Sequence, residues 1–267
     1  MPATVPPAAL LLEGKVVVVS GVGPGLGRSI ALQCAGAGAD VVLAARTESR
    51  LIEIAGEVAI YGRKALTVPT DVTDDGSARR LVTTALETFG RVDTLVNNAF
   101  AIPPLTDLAE ADFDQIRAGF ETTVLAALRL TNLFTPALTT SGGSVIMINS
   151  AVLRHSRRPF GPYKLTKAAL LAIAQSLSTE LGPKGIRVNS VAPGYIWADS
   201  LKSYFDYLGR KRGVSAQQVY DDIAAGIDLR KLPEPAEIAD AVVFLASDLA
   251  RAITGQCLDV NGGEFHH

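Results

Sequence analysis

Residues 15–32 read KVVVVSGVGPGLGRSIAL: a run of four valines, a loop with glycine at 21, 23, 25 and 27, and an apolar helical pattern opening through Ile30, Ala31 and Leu32. A β-branched run that does not alternate with polar residues is the pattern of a parallel strand buried on both faces. Glycines let the following chain turn sharply and bring backbone N–H groups and the positive end of a helix close to a phosphate. The G-x-G-x-x-G spacing fails for every choice of first glycine, whereas G-x-x-x-G-x-G fits at Gly21, Gly25 and Gly27. By itself such a loop also suits a strand-to-helix turn that holds no ligand.

Outward from this stretch the same unit recurs. Strand-like runs at Lys15–Ser20, Asp40–Ala45, Lys64–Pro69, Asp93–Asn97, Gly143–Ile148, Ile186–Val191 and Cys257–Val260 alternate with amphipathic or Ala-rich stretches. Turn chemistry marks the helices: Thr47 before SRLIEIAGEVAI, Thr73-Asp74-Asp75 before the stretch to Phe89, and Gly182-Pro183 before Ile186. Alternating β and α elements predict an α/β chain, a single-domain doubly wound Rossmann fold with a seven-stranded parallel sheet flanked by helices. Right-handed crossovers place every strand's C-terminal end on one side, so a site should be built from residues that follow the strands.

Residues 1–13 read as a flexible N-terminal tail, because no basic n-region precedes the short apolar run after Pro6 and Pro7. Residues 14–263 form the expected domain, with no linker or repeat to divide them. The region 198–232 breaks the rhythm with two helical patterns, SLKSYFDYLGRK and SAQQVYDDIAAG, and reads as a substrate lid.

At 267 residues, 48% hydrophobic and 19% charged, the chain is far from the disordered class. Twenty-five basic against 27 acidic side chains give a formal charge of -2, which offers no bulk electrostatic case for nucleic acid or an anionic membrane. Two cysteines, Cys34 and Cys257, and three histidines, two of them the terminal His266 and His267, supply neither a disulfide framework nor a metal site. A cytoplasmic protein with a small-molecule partner is the expectation.

Candidate chemistry follows the later strands. Asp71 could accept a hydrogen bond from an adenine amino group or cap a helix, and Asn97-Asn98-Ala99 could close a cofactor cleft or cap a strand end. Tyr163 and Lys167 are four apart, hence on one face of a helix beginning near Pro162. A tyrosine hydroxyl, with a pKa of about 10, is too basic to ionise at neutral pH, but an adjacent ammonium favours the phenolate. Ser150, at the end of the fifth strand, could hydrogen-bond the oxygen that exchanges its proton with Tyr163. A Tyr and Lys at this spacing also occur by chance on exposed helices; the preceding Ser150 and glycine loop argue against that.

Taken in order, Gly21, Gly25 and Gly27, Asp71, Asn97-Asn98-Ala99, Ser150, Tyr163, Lys167, Pro193-Gly194, Ile253-Thr254-Gly255 and Asn261-Gly262-Gly263 resemble the short-chain dehydrogenase/reductase superfamily, in the group with about 250-residue subunits, from about Gly14 to Gly263. The resemblance implies an enzyme that uses NAD or NADP to transfer a hydride between nicotinamide and an alcohol or carbonyl carbon, commonly as a homotetramer or homodimer. It implies Tyr163 as general acid/base, Lys167 as the group that lowers its pKa and holds the nicotinamide ribose, and Ser150 as the group that positions the substrate oxygen. Gly21, Gly25, Leu26, Gly27, Arg46, Asp71, Val72, Asn98, Ala99, Tyr163, Lys167, Pro193, Gly194 and Ile196 would then bind the cofactor.

The chain departs from the family at three places. Phe100 stands where the family carries Gly after Asn97-Asn98-Ala99, Phe120 aligns with the asparagine that anchors a relay water, and Ala198 replaces a Thr expected near the carboxamide. A Phe side chain cannot hold a water by hydrogen bonds. These departures motivate a rival reading, a dinucleotide-binding protein of this fold with impaired or lost catalysis. In Leu43-Ala44-Ala45-Arg46-Thr47, Ala45 takes the place of the acid that would bond the ribose 2′-OH and Arg46 can accept a 2′-phosphate, so NADP(H) is preferred and NAD(H) remains possible. Arg154, His155, Arg157 and Arg158 could meet an anionic substrate or form a solvated loop. Tyr195, Trp197, Tyr204, Phe205 and Tyr207 could roof a lipophilic one or pack as core.

Overall fold

The computed structural model describes residues 10–102 and 105–266. Strands β1 (Val16–Ser20), β2 (Asp40–Ala45), β3 (Ala65–Pro69), β4 (Thr94–Asn97), β5 (Ser144–Ile148), β6 (Arg187–Pro193) and β7 (Cys257–Val260) form one parallel sheet in the order β3-β2-β1-β4-β5-β6-β7. The doubly wound fold expected from the sequence is the fold observed. Its order reverses between β1 and β4, and in such sheets the crevice at that reversal binds ligands.

The unbroken valines of β1 are divided between the faces, as the strand's two-residue period requires. Val17 and Val19 pack with Ile30 and Cys34 of α1 (Leu26–Gly36), Leu51 of α2 (Glu48–Ala59) and Val242 of α9 (Pro235–Ala246). Val16 and Val18 pack on the other face with Leu81 of α3 (Asp75–Phe89), Phe134 of α5 (Ala126–Ser141) and Leu170 of α6 (Gly161–Leu181). Helix α4 (Phe113–Phe120) runs into a single π-helical segment, Glu121–Leu125, before α5 begins, and both pack against α6.

Of the tail expected over residues 1–13, residues 1–9 lie outside the described residues. Leu12 is fully buried against the first core, with its N–H donated to the Ala37 carbonyl, so packing begins ahead of Gly14. Strand β6 runs to Pro193, beyond the expected Val191, because it pairs with β7 as far as Val260.

The interruption at 198–232 holds two helices, α7 (Asp199–Arg212) and α8 (Ala216–Ala224). They share a small core of their own in which Phe205, Val219, Ile227 and Leu232 are buried and Trp197 is partly buried. The expected aromatic roof therefore divides: Phe205 and Trp197, 5.6 Å apart between ring centroids, are packing residues, and Tyr207 is exposed. Only Tyr195 and Tyr204 reach the cavity described below.

Candidate active site

The site is assembled where β1 and β4 end side by side. The Ser20 hydroxyl donates to the Val96 carbonyl (3.3 Å) and accepts from the N–H groups of Asn98 (3.2 Å) and Ala99 (3.4 Å). The Asn98 amide returns the tie by donating to the Gly21 carbonyl at 2.8 Å. Only glycine fits at position 21: its φ is +73°, and a Cβ would lie 2.5 Å from the Ala99 Cα. At Gly27 a Cβ would fall 2.5 Å from the Gly21 carbonyl oxygen, so its absence lets α1 close onto the loop.

Gly23 and Gly25 differ from these two. A Cβ at Gly23 would meet nothing within 4 Å, and one at Gly25 would meet only the Ala198 Cβ at 3.9 Å. The loop thus presents bare backbone to an open floor at the start of α1, where Gly25 supplies no side-chain cap. Leading N–H groups of a helix that have no cap suit an anionic diphosphate. The residues present fit a dinucleotide.

A cavity of about 370 Å³ continues this floor, lined among others by Arg46, Arg50, Asp71, Asn98, Ala99 and Phe100. Asp71 accepts from the Thr73 hydroxyl (2.7 Å) and N–H (2.9 Å), and these bonds, with Arg46 adding to them, hold its carboxyl below the ordinary range. The helix cap considered for Asp71 is made by Asp74, whose carboxylate accepts from the Ser77 N–H. Val72 lines the same cavity. Asn97, by contrast, faces away from it, donating to Thr131 Oγ1 and Met147 Sδ within the core.

A second cavity of about 370 Å³ opens beyond the ends of β5 and β6. Ser150, Tyr163, Pro193, Gly194 and Ile196 are among its walls, which brings five of the expected residues together there. Ser150 caps the short 3-10 turn Ala151–Arg154 by accepting from the Val152 N–H at 3.2 Å, and Tyr163 lines the same cavity, near enough that the Ser150 hydroxyl favours its phenolate. Tyr163 stands on the first turn of α6, with Lys167 one turn below it.

Lys167 lies on the core-facing stripe with Thr166, Leu170 and Ala174 and is 2% exposed. Its ammonium donates to the Ile148 carbonyl at 2.7 Å and sits 5.8 Å from the Tyr163 ring centroid and 5.4 Å from that of Phe100. Burial pulls its pKa down to about 7. The tyrosine corrects the expectation: burial is the larger influence and pushes its pKa up, against the Ser150 hydroxyl, where the helical spacing predicted a lowered value. Spacing alone places the two groups together but does not register how little water reaches either.

The four basic residues expected at the substrate mouth separate. Arg154 forms a two-pronged ion pair with Asp259, and Arg158 pairs with Asp107. Only His155 and Arg157 line the second cavity, and Arg157 is paired with Glu264 at 3.3 Å and lies over the Phe265 ring. Glu264 is itself largely buried, and burial raises its pKa. An uncompensated cationic mouth is therefore not what the loop forms.

Several lining residues escaped sequence reasoning. Arg50 joins Arg46 because the first turn of α2 returns it to the same cavity, and the i, i+4 spacing of the two arginines was the available signal. Glu264 and Phe265 fall just past the expected domain end at 263, and nothing in the sequence links them to Arg157. Phe120 ends α4 at the π-helical segment, and Ala198 faces Gly25 across the floor.

A family model described as enoyl-(acyl carrier protein) reductase matches residues 21–264. The chain is 33% identical over 256 residues to a 7alpha-hydroxysteroid dehydrogenase of Escherichia coli, covering 95% of both chains. It is 34% identical to an L-rhamnose 1-dehydrogenase (NAD(P)(+)) of Azotobacter vinelandii, covering 96% of this chain and 98% of the relative. Among solved structures it superposes on the L-sorbose reductase of Gluconobacter frateurii, complexed with NADPH and L-sorbose, with a TM-score of 0.90 at 30% identity, over 97% of this chain and 99% of the other.

Proposed function

The chain belongs to the short-chain dehydrogenase/reductase family and is an NAD(P)-dependent oxidoreductase of alcohol and carbonyl groups; on that premise we propose that Tyr163 is its general acid/base, Ser150 its substrate-oxygen anchor and Lys167 the cation that serves them. The observation that carries this assignment is that Ser150 and Tyr163 share the wall of one cavity at the strand ends, with a buried ammonium 5.8 Å from the tyrosine ring centroid.

When bound, the nicotinamide supplies the acceptor or donor of the hydride. The chain's part is the proton. In reduction Tyr163 donates its phenolic proton to the carbonyl oxygen as the new C–H bond forms; in oxidation its phenolate takes the alcohol proton as that bond breaks. Ser150 holds the substrate oxygen within reach, and the Lys167 charge stabilises the phenolate.

Gly21, Gly25, Leu26 and Gly27 would cradle the pyrophosphate. Asp71 and Val72 would border the adenine, and Asn98, Ala99, Pro193, Gly194 and Ile196 the nicotinamide half. For the second phosphate, Arg46 and Arg50 together support NADP(H), because both line the cavity beyond β2, where an acid is missing at Ala45. Arg28 does not contribute, since Glu57 occupies its guanidinium. Fluorescence titration tests the preference: Arg46→Ala should weaken NADPH binding by roughly tenfold or more and leave NADH within a few-fold. Tighter binding of NADH than NADPH by the unmodified protein would overturn it.

The substrate is a secondary alcohol or ketone whose body meets Ile102, Leu201 and Tyr204 and whose far end meets the Arg157–Glu264 pair. A panel of hydroxysteroids and sugars, followed at the nicotinamide absorbance band, separates lipophilic from polar substrates. Turnover of none, with NADPH still bound, would instead support the rival reading of a binding protein with lost catalysis.

Exposed Leu108, Phe113, Leu125 and Leu165, on or beside the helices that support Tyr163, favour assembly into dimers or tetramers, which light scattering would register as a multiple of 28.0 kDa. No helix among the described residues is long and apolar enough to cross a membrane. The free thiols of Cys34 and Cys257 agree with a reducing, cytoplasmic setting.

A further inference from the structure

The Lys167 ammonium has three N–H donors, and among the described residues one is used, on the Ile148 carbonyl. It is 2% exposed, so bulk solvent hardly reaches it. Among the described residues, no carboxylate is paired with it. Burial lowers its pKa. On its own helix Tyr163 is the titratable neighbour, while Lys164 is turned away onto the His155 carbonyl and Ser156. From the π-helical segment packed against α6, Glu121 is engaged by Arg129. From the end of β5 comes the Ile148 carbonyl, and just after it Asn149, whose side-chain oxygen accepts from the Ser150 N–H.

What faces the ammonium is aromatic. Its nitrogen lies 5.4 Å from the Phe100 ring centroid and 5.8 Å from that of Tyr163, inside the roughly 6 Å over which a ring's negative face attracts a cation. Phe100 is also half-exposed, on a segment whose neighbours line both cavities: Ala101 the first, Ile102 the second. A large apolar side chain left in a cleft mouth is free to serve something other than the core.

We propose that Phe100 is a positioning residue that stabilises the charged form of Lys167 through its ring face, in place of a carboxylate. This rests on the assignment of Tyr163 and Lys167 given above. The consequence is chemical. Oxidation needs the phenolate and the ammonium together, and that charge pair competes with the neutral phenol and amine holding the same number of protons. Whatever favours the ammonium raises the fraction in the reactive form. Reduction, which starts from the phenol, is less sensitive.

The test compares Phe100→Leu and Phe100→Met with Phe100→Tyr. The protein carries lysines labelled with ¹³C at Cε and holds no cofactor, and the Lys167 signal is assigned by its loss in Lys167→Met. Removing the ring should lower the titration midpoint of Lys167 by roughly one pH unit. In alcohol oxidation, the plateau of kcat at alkaline pH should fall by about the same factor, with its apparent pKa moving down and KM for NADP changing little. Phe100→Tyr, which keeps a ring face, should restore both. An unchanged Lys167 midpoint in the leucine and methionine variants would overturn the proposal, as would a Phe100→Tyr variant that behaves like them. Turnover surviving in Tyr163→Phe would instead bring down the acid/base assignment itself, whatever Phe100 does.

Discussion

Lys167 places an ammonium one helical turn from Tyr163 at a position that is 2% exposed. Its spacing from Tyr163 was legible because four residues make one helical turn. Its burial was not, because that depends on how α6 lies on β5 and under the 98–102 segment, contacts distant in sequence. Desolvation then lowers the lysine to about 7 and raises the tyrosine, so the protein on its own holds a neutral phenol suited to giving up a proton to a carbonyl. Asp71 is a similar case, legible as a strand-end carboxylate but not as one already gripped by Thr73.

The same burial makes a prediction about stability. Folding lowers the lysine from 10.5 to about 7, so between those values the unfolded chain binds the extra proton. The cost of burying the charge is complete below pH 7, fades as pH rises, and is gone above about 10.5. Lys167→Met should therefore raise Tm, by an amount on the order of 5 °C or more at pH 6, and this advantage should shrink steadily toward pH 10. Calorimetry of the two proteins at several pH values checks the sign; a variant no more stable than the original at pH 6 would mean that the buried ammonium does not cost stability.

At the scale of elements, the strands and the glycine turn were the most legible parts, because a run such as Val16–Val19 fixes its own environment: no strand of a half-exposed sheet carries apolar side chains on both faces. The helices after β6 were legible as helices but not as a packed unit. Aromatic spacing in residues 195–207 does not say which rings meet α8, and the answer, Phe205 and Trp197, emerges only when α7 and α8 fold against Leu232. Phe205→Ala should remove about 3–5 kcal/mol from this subcore. Hydrogen exchange should then show lost protection over Asp199–Ala224 with the sheet still protected, together with a rise in substrate KM, because Leu201 and Tyr204 line the cavity. Uniform loss of protection across the sheet would mean that the two helices are not a separate unit.

Across the whole molecule, the parallel sheet places four loops at one edge, and each contributes one kind of chemistry. The loop after β1 presents bare backbone, the start of α2 beyond β2 two arginines, the end of β4 an aromatic ring over a cation, and the end of β5 a hydroxyl pair with α6. The order of these motifs along the chain was legible, and the parallel topology predicted that they converge. What the sequence could not convey was the closure of the second cavity by the chain's last residues, since Glu264 and Phe265 reach Arg157 across more than a hundred positions. On the assignment proposed above, this convergence works through one phenol. Tyr163→Phe, assayed with the substrate that the turnover panel identifies, should lose at least about a hundredfold in kcat while its NADPH dissociation constant stays within a few-fold of the original. Turnover retained at near the original rate, with cofactor bound normally, would contradict it.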